Sequence, residues 1–252
     1  MFGLKKRRRK KIGAKPFPSD WLPIVEKNIP YFQTLPAEDR RELLKDILIF
    51  LAEKNFEGCG GLSLTDEIRV TIAAQACLLL LHRKNDDYPR LQSILVYPHA
   101  YRVDGKKVSS GGFIREGPEI RAGESWSRGA VVLSWDDVKK SVSDLRDGHN
   151  VVLHEFAHQL DQEDGAADGI PVLGERSRYT AWARVLGREY RELVSEIEKG
   201  HRTDIDPYGA LSPAEFFAVV TECFFEKPAA LRRRHPELYQ ELRLFYRQDP
   251  PS

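Results

Sequence analysis

The chain is short of sulfur: its 252 residues include three cysteines and one methionine, and that methionine is Met1. Cys59, Cys77 and Cys223 are odd in number, scattered and without a Cys-x-x-Cys pair. A disulfide scaffold and a thiolate metal frame are therefore excluded, and idle thiols of a reducing compartment are expected. Long apolar runs are missing too. The longest stretch, about Ile72 to Leu81, contains Gln75 and falls well short of the roughly 20 residues that cross a bilayer. No apolar segment follows the positive charges at the N-terminus, because Ile12-Gly13-Ala14-Lys15-Pro16 breaks off at once, so a secretory signal is not read and a cytoplasmic location is expected. Net charge is nearly absent, 39 Lys plus Arg standing against 38 Asp plus Glu. That balance hides an asymmetry: Lys5 to Lys11 are all basic, and without those seven the chain has 32 basic and 38 acidic residues.

What remains is the composition of a globular protein, 41% hydrophobic and 31% charged, with no internal repeat. Pro36 followed by Glu38 and Asp39 starts a helix, and Leu43, Leu44, Ile47 and Leu51 recur at helical spacing until Gly58. Ser63 or Thr65 can cap a second, largely buried helix over about Asp66 to Leu81. Ser93 to Tyr97 and Ala130 to Trp135 are β-branched and aromatic runs that read as strands, and Gly111-Gly112, Gly117-Pro118 and Gly123 suggest hairpin turns between them. Helical patterns return near Asn150–Gln162, Tyr179–Lys199, Pro213–Phe225 and Pro236–Tyr246. The fold class expected is α+β: a predominantly helical single domain over 17–252 with a small mixed sheet, after a basic, disordered tail over 1–16. That tail could touch an anionic membrane surface. Direct nucleic-acid binding is not expected, since no aromatic residue interleaves the run.

Residues 151–161, Val-Val-Leu-His-Glu-Phe-Ala-His-Gln-Leu-Asp, contain His-Glu-x-x-His in an apolar helical setting. Residues four apart on a helix share a face, so His154 and His158 can bind one Zn²⁺. Glu155 flanks that position, where it can accept the proton of an activated water and pass it to a leaving amine. Peptide or amide hydrolysis is the reaction class implied.

Two imidazoles do not complete a zinc site, and two residues compete for third place. Asp164 follows His158 by six residues, as the third ligand does in one arrangement of zinc proteases. That arrangement also needs a glycine where Asp161 stands and a methionine turn, and this chain has no internal methionine. Glu215, in Ser212-Pro213-Ala214-Glu215-Phe216-Phe217, is a carboxylate in an apolar helix that a metal would compensate. A Ser212/Glu215 capping box explains the same spacing.

His154 to Asp161, Asp206-Pro207-Tyr208-Gly209-Ala210, Ser212 to Ala218 and Phe245-Tyr246-Arg247-Gln248-Asp249-Pro250 together resemble the MtfA (Mlc titration factor A) family of bacterial zinc-dependent peptidases, over about Pro16 to Pro250. The resemblance implies a gluzincin with one zinc per chain, His154, His158 and Glu215 as ligands, and Glu155 as general base. It implies aminopeptidase-type activity on a peptide or protein substrate. It also suggests an alternative, a regulator that sequesters an Mlc-like transcriptional repressor. The family is similar to the catalytic domain of anthrax lethal factor, in which a tyrosine seven residues before the glutamate ligand lies at the metal. Tyr208 has that offset and is read as a second catalytic residue, stabilising the intermediate or protonating the amine.

Asp161, on the face of His154 and His158, and Glu222, seven after Glu215, are candidates for orienting a ligand imidazole. Arg121 to Trp126 is expected to offer an edge strand to an extended peptide. His149 is expected to be no ligand.

Overall fold

The computed structural model describes residues 2–29, 31–83, 88–108, 114–121, 123–126, 129–144 and 147–251. In chain order its elements are α1 (Phe2–Gly13), α2 (Leu22–Asn28), α3 (Tyr31–Thr34), α4 (Ala37–Glu53), β1 (Asn55–Gly58), α5 (Asp66–Leu78), β2 (Ser93–Tyr97), β3 (Tyr101–Val108), β4 (Ile114–Arg121), β5 (Gly123–Trp126) and β6 (Ala130–Ser134). They continue with α6 (Trp135–Ser143), α7 (Val151–Asp161), α8 (Arg176–Glu198), α9 (Pro213–Glu226), α10 (Pro228–Arg234) and α11 (Pro236–Tyr246). Helices dominate, as expected. None among the described residues is long and apolar enough to cross a membrane.

The four-stranded sheet has the order β1-β2-β6-β5. Its first three strands are parallel, and β5 lies antiparallel to β6 at the edge. This is the small mixed sheet that the sequence predicts, and residues 123–126 take the expected edge position. β3 and β4 form a separate antiparallel hairpin, with Tyr101 opposite Arg121 and Val108 opposite Ile114. Gly111 and Gly112 lie outside the described residues.

Several boundaries differ from the sequence reading: the second helix ends at Leu78, and Gly117-Pro118, expected at a turn, lies within β4 opposite Gly105 and Asp104. The helix expected to reach Gly58 stops at Glu53, because the Asn55 N–H bonds the Gln92 carbonyl at 2.9 Å and Asn55 to Gly58 then pair with Ser93 to Val96. Inter-strand pairing replaces the helical bond, which suits Phe56. The strand at Ala130 ends at Ser134, whose hydroxyl accepts the Asp137 N–H at 3.3 Å and caps α6, making Trp135 a helical residue. The basic run, expected as a disordered tail, is helical. Lys and Arg are good helix formers, and α1 is tied to α4 by a two-pronged contact from Arg9 Nε and Nη2 to Glu53 at 2.8 and 2.5 Å.

The core is organised around α7 and α9, which pack against each other. Val152, Leu153, Phe156, Ala157 and Leu160 of α7 are buried, as are Phe216, Phe217, Val220 and Phe224 of α9. Phe156 packs edge-on against Tyr88, with ring centroids 4.9 Å apart, and tilted against Phe50 at 5.8 Å. On the other flank, Phe245 and Tyr246 of α11 pack on Phe217 and Phe224. Gln248 then donates to the Leu78 carbonyl at 2.8 Å. The closing aromatic motif is thus a brace behind α9, remote from the histidines in its chemistry.

Candidate metal centre

Helix α7 starts where the sequence dictates. The Asn150 side-chain oxygen accepts the Val152 and Leu153 N–H groups at 3.1 and 3.0 Å, and the Val151 N–H is taken by Ser141 Oγ at 3.1 Å. With its apolar residues turned into the core, the helix directs His154 and His158 together toward α9.

Helix α9 brings Glu215 to meet them. Ser212 Oγ accepts the Glu215 N–H at 3.2 Å, which is one half of a capping box. The Glu215 carboxylate itself reaches the histidines: its Oε2 lies 3.0 Å from His154 Nε2 and 3.3 Å from His158 Nε2, and the two Nε2 atoms are 3.2 Å apart. Donors bound tetrahedrally at 2.0–2.1 Å would stand about 3.3–3.4 Å apart. The three atoms therefore form a triangle close to one face of a zinc coordination tetrahedron.

A fourth side chain fixes the tautomer. His154 Nδ1 lies 2.7 Å from Glu222 Oε1, and a carboxylate oxygen can only accept, so Nδ1 carries hydrogen. In a neutral imidazole Nε2 then has only its lone pair, which points at the Glu215 carboxylate. Such an arrangement is repulsive unless a positive charge lies between, as a proton or a cation. Without a cation the proton takes that place: burial opposes charging of His154, but hydrogen bonds to Glu215 and Glu222 hold its pKa well above the ordinary value. Burial likewise works to raise Glu215, yet the two histidines prevail and bring it down to about 2. Both shifts favour positive charge among the three groups. Glu222 in turn accepts the Asn150 backbone N–H through Oε2 at 2.5 Å.

Glu155, next after His154 in α7, is buried, and burial pushes its carboxyl up to about 6 against the opposing pull of His154 and His158. Tyr208 sits in a short turn at Pro207–Ala210 whose Asp206 Oδ1 accepts the Tyr208 N–H at 2.7 Å. Its ring centroid is 5.8 Å from that of His154, and the residue is 49% exposed, so it stands beside the histidines and open to solvent. Of the two orienting candidates only Glu222 takes the part. Asp161 is fully buried, but its Oδ2 accepts the Gly169 N–H at 3.0 Å, anchoring the loop that passes over Pro213. Burial raises the Asp161 carboxyl to about 6.

Asp164 is exposed and accepts the Ala166 N–H in a turn at 2.9 Å, outside the triangle. His149 pairs with Asp206 at 3.3 Å and is also outside it. Asn150, which the sequence reading passed over, caps α7 and at the same time holds Glu222. A Ser/Thr/Asn/Asp residue just before an apolar helix was the signal that could have found it. Among the described residues a second set of close donor atoms, Asp39, Glu42 and His82, is half-buried. There His82 Nε2 lies 3.2 Å from Asp39 Oδ2.

The family description that matches this chain is glucose-regulated metallo-peptidase M90, over residues 4–247. An uncharacterized protein of Synechocystis sp. is 45% identical over 244 residues, 96% of this chain and 89% of that one. The Mlc titration factor A of Serratia proteamaculans is 34% identical over 225 residues, covering 88% of this chain and 85% of its own. That of Salmonella arizonae is 32% identical over 235 residues, 92% of both chains. The chain belongs to the M90 metallo-peptidase family, the family of Mlc titration factor A.

Proposed function

We propose that this protein is a zinc-dependent peptidase of the gluzincin type, with His154, His158 and Glu215 holding one zinc ion, Glu155 as general base and Tyr208 assisting. The observation that carries the reading is the triangle of three electron-pair donors at 3.0–3.3 Å. Zinc held there would supply Lewis acidity and lower the pKa of a bound water.

The chain's own residues supply the rest. Glu222 keeps hydrogen on His154 Nδ1, leaving Nε2 as the donor atom. Glu155, with its carboxyl raised toward neutrality by burial, is suited to take a proton from water at a carboxylate oxygen and return it to the departing amine nitrogen. Tyr208, half exposed with its ring beside that of His154, would donate its phenol hydrogen to the oxygen that gains negative charge. Among the described residues β5 pairs only with β6 and lies against α7, so an extended peptide could add to its other edge.

Two experiments decide the reading. Purified protein should hold about one zinc per chain, and Glu155→Gln should keep that metal while losing at least about 10²-fold in peptide hydrolysis. Equal activity in the variant would sink the mechanism. Aminopeptidase preference is tested by N-terminal acetylation of the peptide, which should abolish cleavage.

The names of the relatives support a second reading, binding of an Mlc-like repressor. Co-purification with such a repressor that persists in His154→Ala and in chelator would make that binding independent of catalysis. Loss of binding under both conditions would tie it to the metal centre.

A further inference from the structure

Helix α1 is tied to the body along one side. Arg9 makes the two-pronged contact with Glu53, Arg8 Nη2 donates to the Ala52 carbonyl at 3.4 Å, and Gly13 lies so close to α4 that a Cβ there would stand 2.6 Å from Lys45 Cγ. Residues three, four and seven apart share a helix face. Leu4, Arg7 and Lys11 therefore stand in one row on the side opposite Arg9, with Arg8 and Lys10 flanking it, and all of them are exposed.

The charge of this row has no counterpart in the fold. The side chains of Lys6, Arg7, Lys10 and Lys11 have no hydrogen bond or ion pair among the described residues. Like charges three and four apart on a helix repel one another, so the ordered α1 concentrates positive charge that an anionic surface would relieve. Leu4 shares the row and is 73% exposed. A leucine among cations gains nothing from phosphates alone. At a bilayer it reaches the acyl boundary while the cations stay with the headgroups, and that combination favours lipid over nucleic acid. Without Lys5 to Lys11 the chain has 32 basic against 38 acidic residues, so the same surface repels the body and confines the contact to α1.

We propose that the outer face of α1 docks this protein reversibly on an anionic phospholipid surface, with Leu4 at the acyl boundary and Arg7, Lys10 and Lys11 among the headgroups. The inference does not depend on the peptidase reading, since it uses no residue of the metal triangle and no catalytic step.

The test is sedimentation of the full chain with phosphatidylcholine vesicles that do or do not contain phosphatidylserine, beside titration of a short DNA duplex. The protein should sediment with the phosphatidylserine vesicles alone, and added salt should release it. Joint substitution of Lys6, Arg7, Lys10 and Lys11 by Gln should weaken vesicle binding by at least about 100-fold. Those side chains hold nothing in the fold, so the circular dichroism of the variant should match the parent's. Leu4→Ser changes no charge and should weaken vesicle binding by at least about fivefold, with binding to the duplex unaltered. Equal sedimentation with and without phosphatidylserine overturns the proposal, as does parent-like vesicle binding in the Gln variant. Parent-like vesicle binding in Leu4→Ser, or tighter binding to the duplex than to the vesicles, overturns it in favour of a polyanion site.

Discussion

Glu222 Oε1 stands 2.7 Å from His154 Nδ1, while Glu222 Oε2 holds the backbone N–H of Asn150 at 2.5 Å. One carboxylate on α9 thus fixes both the ring orientation of a helix α7 histidine and the first residue before that helix. Such partners hold the imidazole in the tautomer that presents its other nitrogen to a metal. Glu222→Ala should therefore weaken zinc binding by about 10–100-fold, as read by competition with a chromophoric chelator. Unchanged zinc affinity would show that packing alone orients His154.

Gly169 has a positive φ of 77°, and a Cβ there would lie 2.4 Å from the Pro213 carbonyl oxygen. Its N–H also bonds Asp161, and its carbonyl accepts the Trp182 indole N–H at 3.0 Å. Pro213 opens α9, two residues before Glu215. Gly169→Ala should thus cost at least about 1 kcal/mol from the left-handed backbone alone and should push the start of α9 away. Chemical denaturation should show the loss, and zinc affinity should fall with it. A variant as stable as the parent, with the same affinity, would mean that the loop yields freely.

Tyr208 offers a test that leaves the metal triangle intact. Tyr208→Phe removes only the phenolic oxygen from a half-exposed side chain whose ring lies 5.8 Å from the His154 ring. Loss of a donor to a developing oxyanion lowers kcat by about 10²–10³-fold. KM should change little, and zinc content should stay at the parent level. Parent-like kcat would reduce Tyr208 to a turn residue after Pro207.

The periodic parts of the fold were legible in the sequence because burial imposes period on it. Strand β2 and helices α7 and α9 fall within a residue or two of where the apolar spacing puts them. The His154 and His158 pair could be read because four residues on a helix fix two side chains on one face, with no tertiary information needed. Glu215 was harder: Ser212-x-x-Glu215 reads equally as a capping box, and the structure shows that Ser212 caps while the Glu215 side chain leaves for the histidines. Asp161 shared the ligand face and went instead to the Gly169 N–H, a loop contact that spacing along one helix cannot reveal. Helix α1 was misread for a similar reason. A run of cations gives no sign of its order until Glu53, 44 residues on, is placed beside Arg9.

Glu226 gives stability a pH dependence whose sign can be worked out. Burial is the main cause of its shift, and it moves the folded-state carboxyl from 4.5 up to about 8. A carboxyl raised on folding favours the native state only while protonated. Its contribution is full below the unfolded value and is lost as pH climbs through the folded one. Glu226→Gln keeps an oxygen for the Asn150 side-chain NH₂, which donates to Glu226 at 2.9 Å, and removes the ionisation. Parent and variant should therefore have similar urea midpoints at pH 4. The variant should pull ahead steadily between about pH 5 and pH 8, and the gap should level off above that range. Groups that titrate in both proteins cancel in this difference. A gap that stays constant from pH 4 to pH 9 would show that Glu226 titrates alike in the folded and unfolded chains.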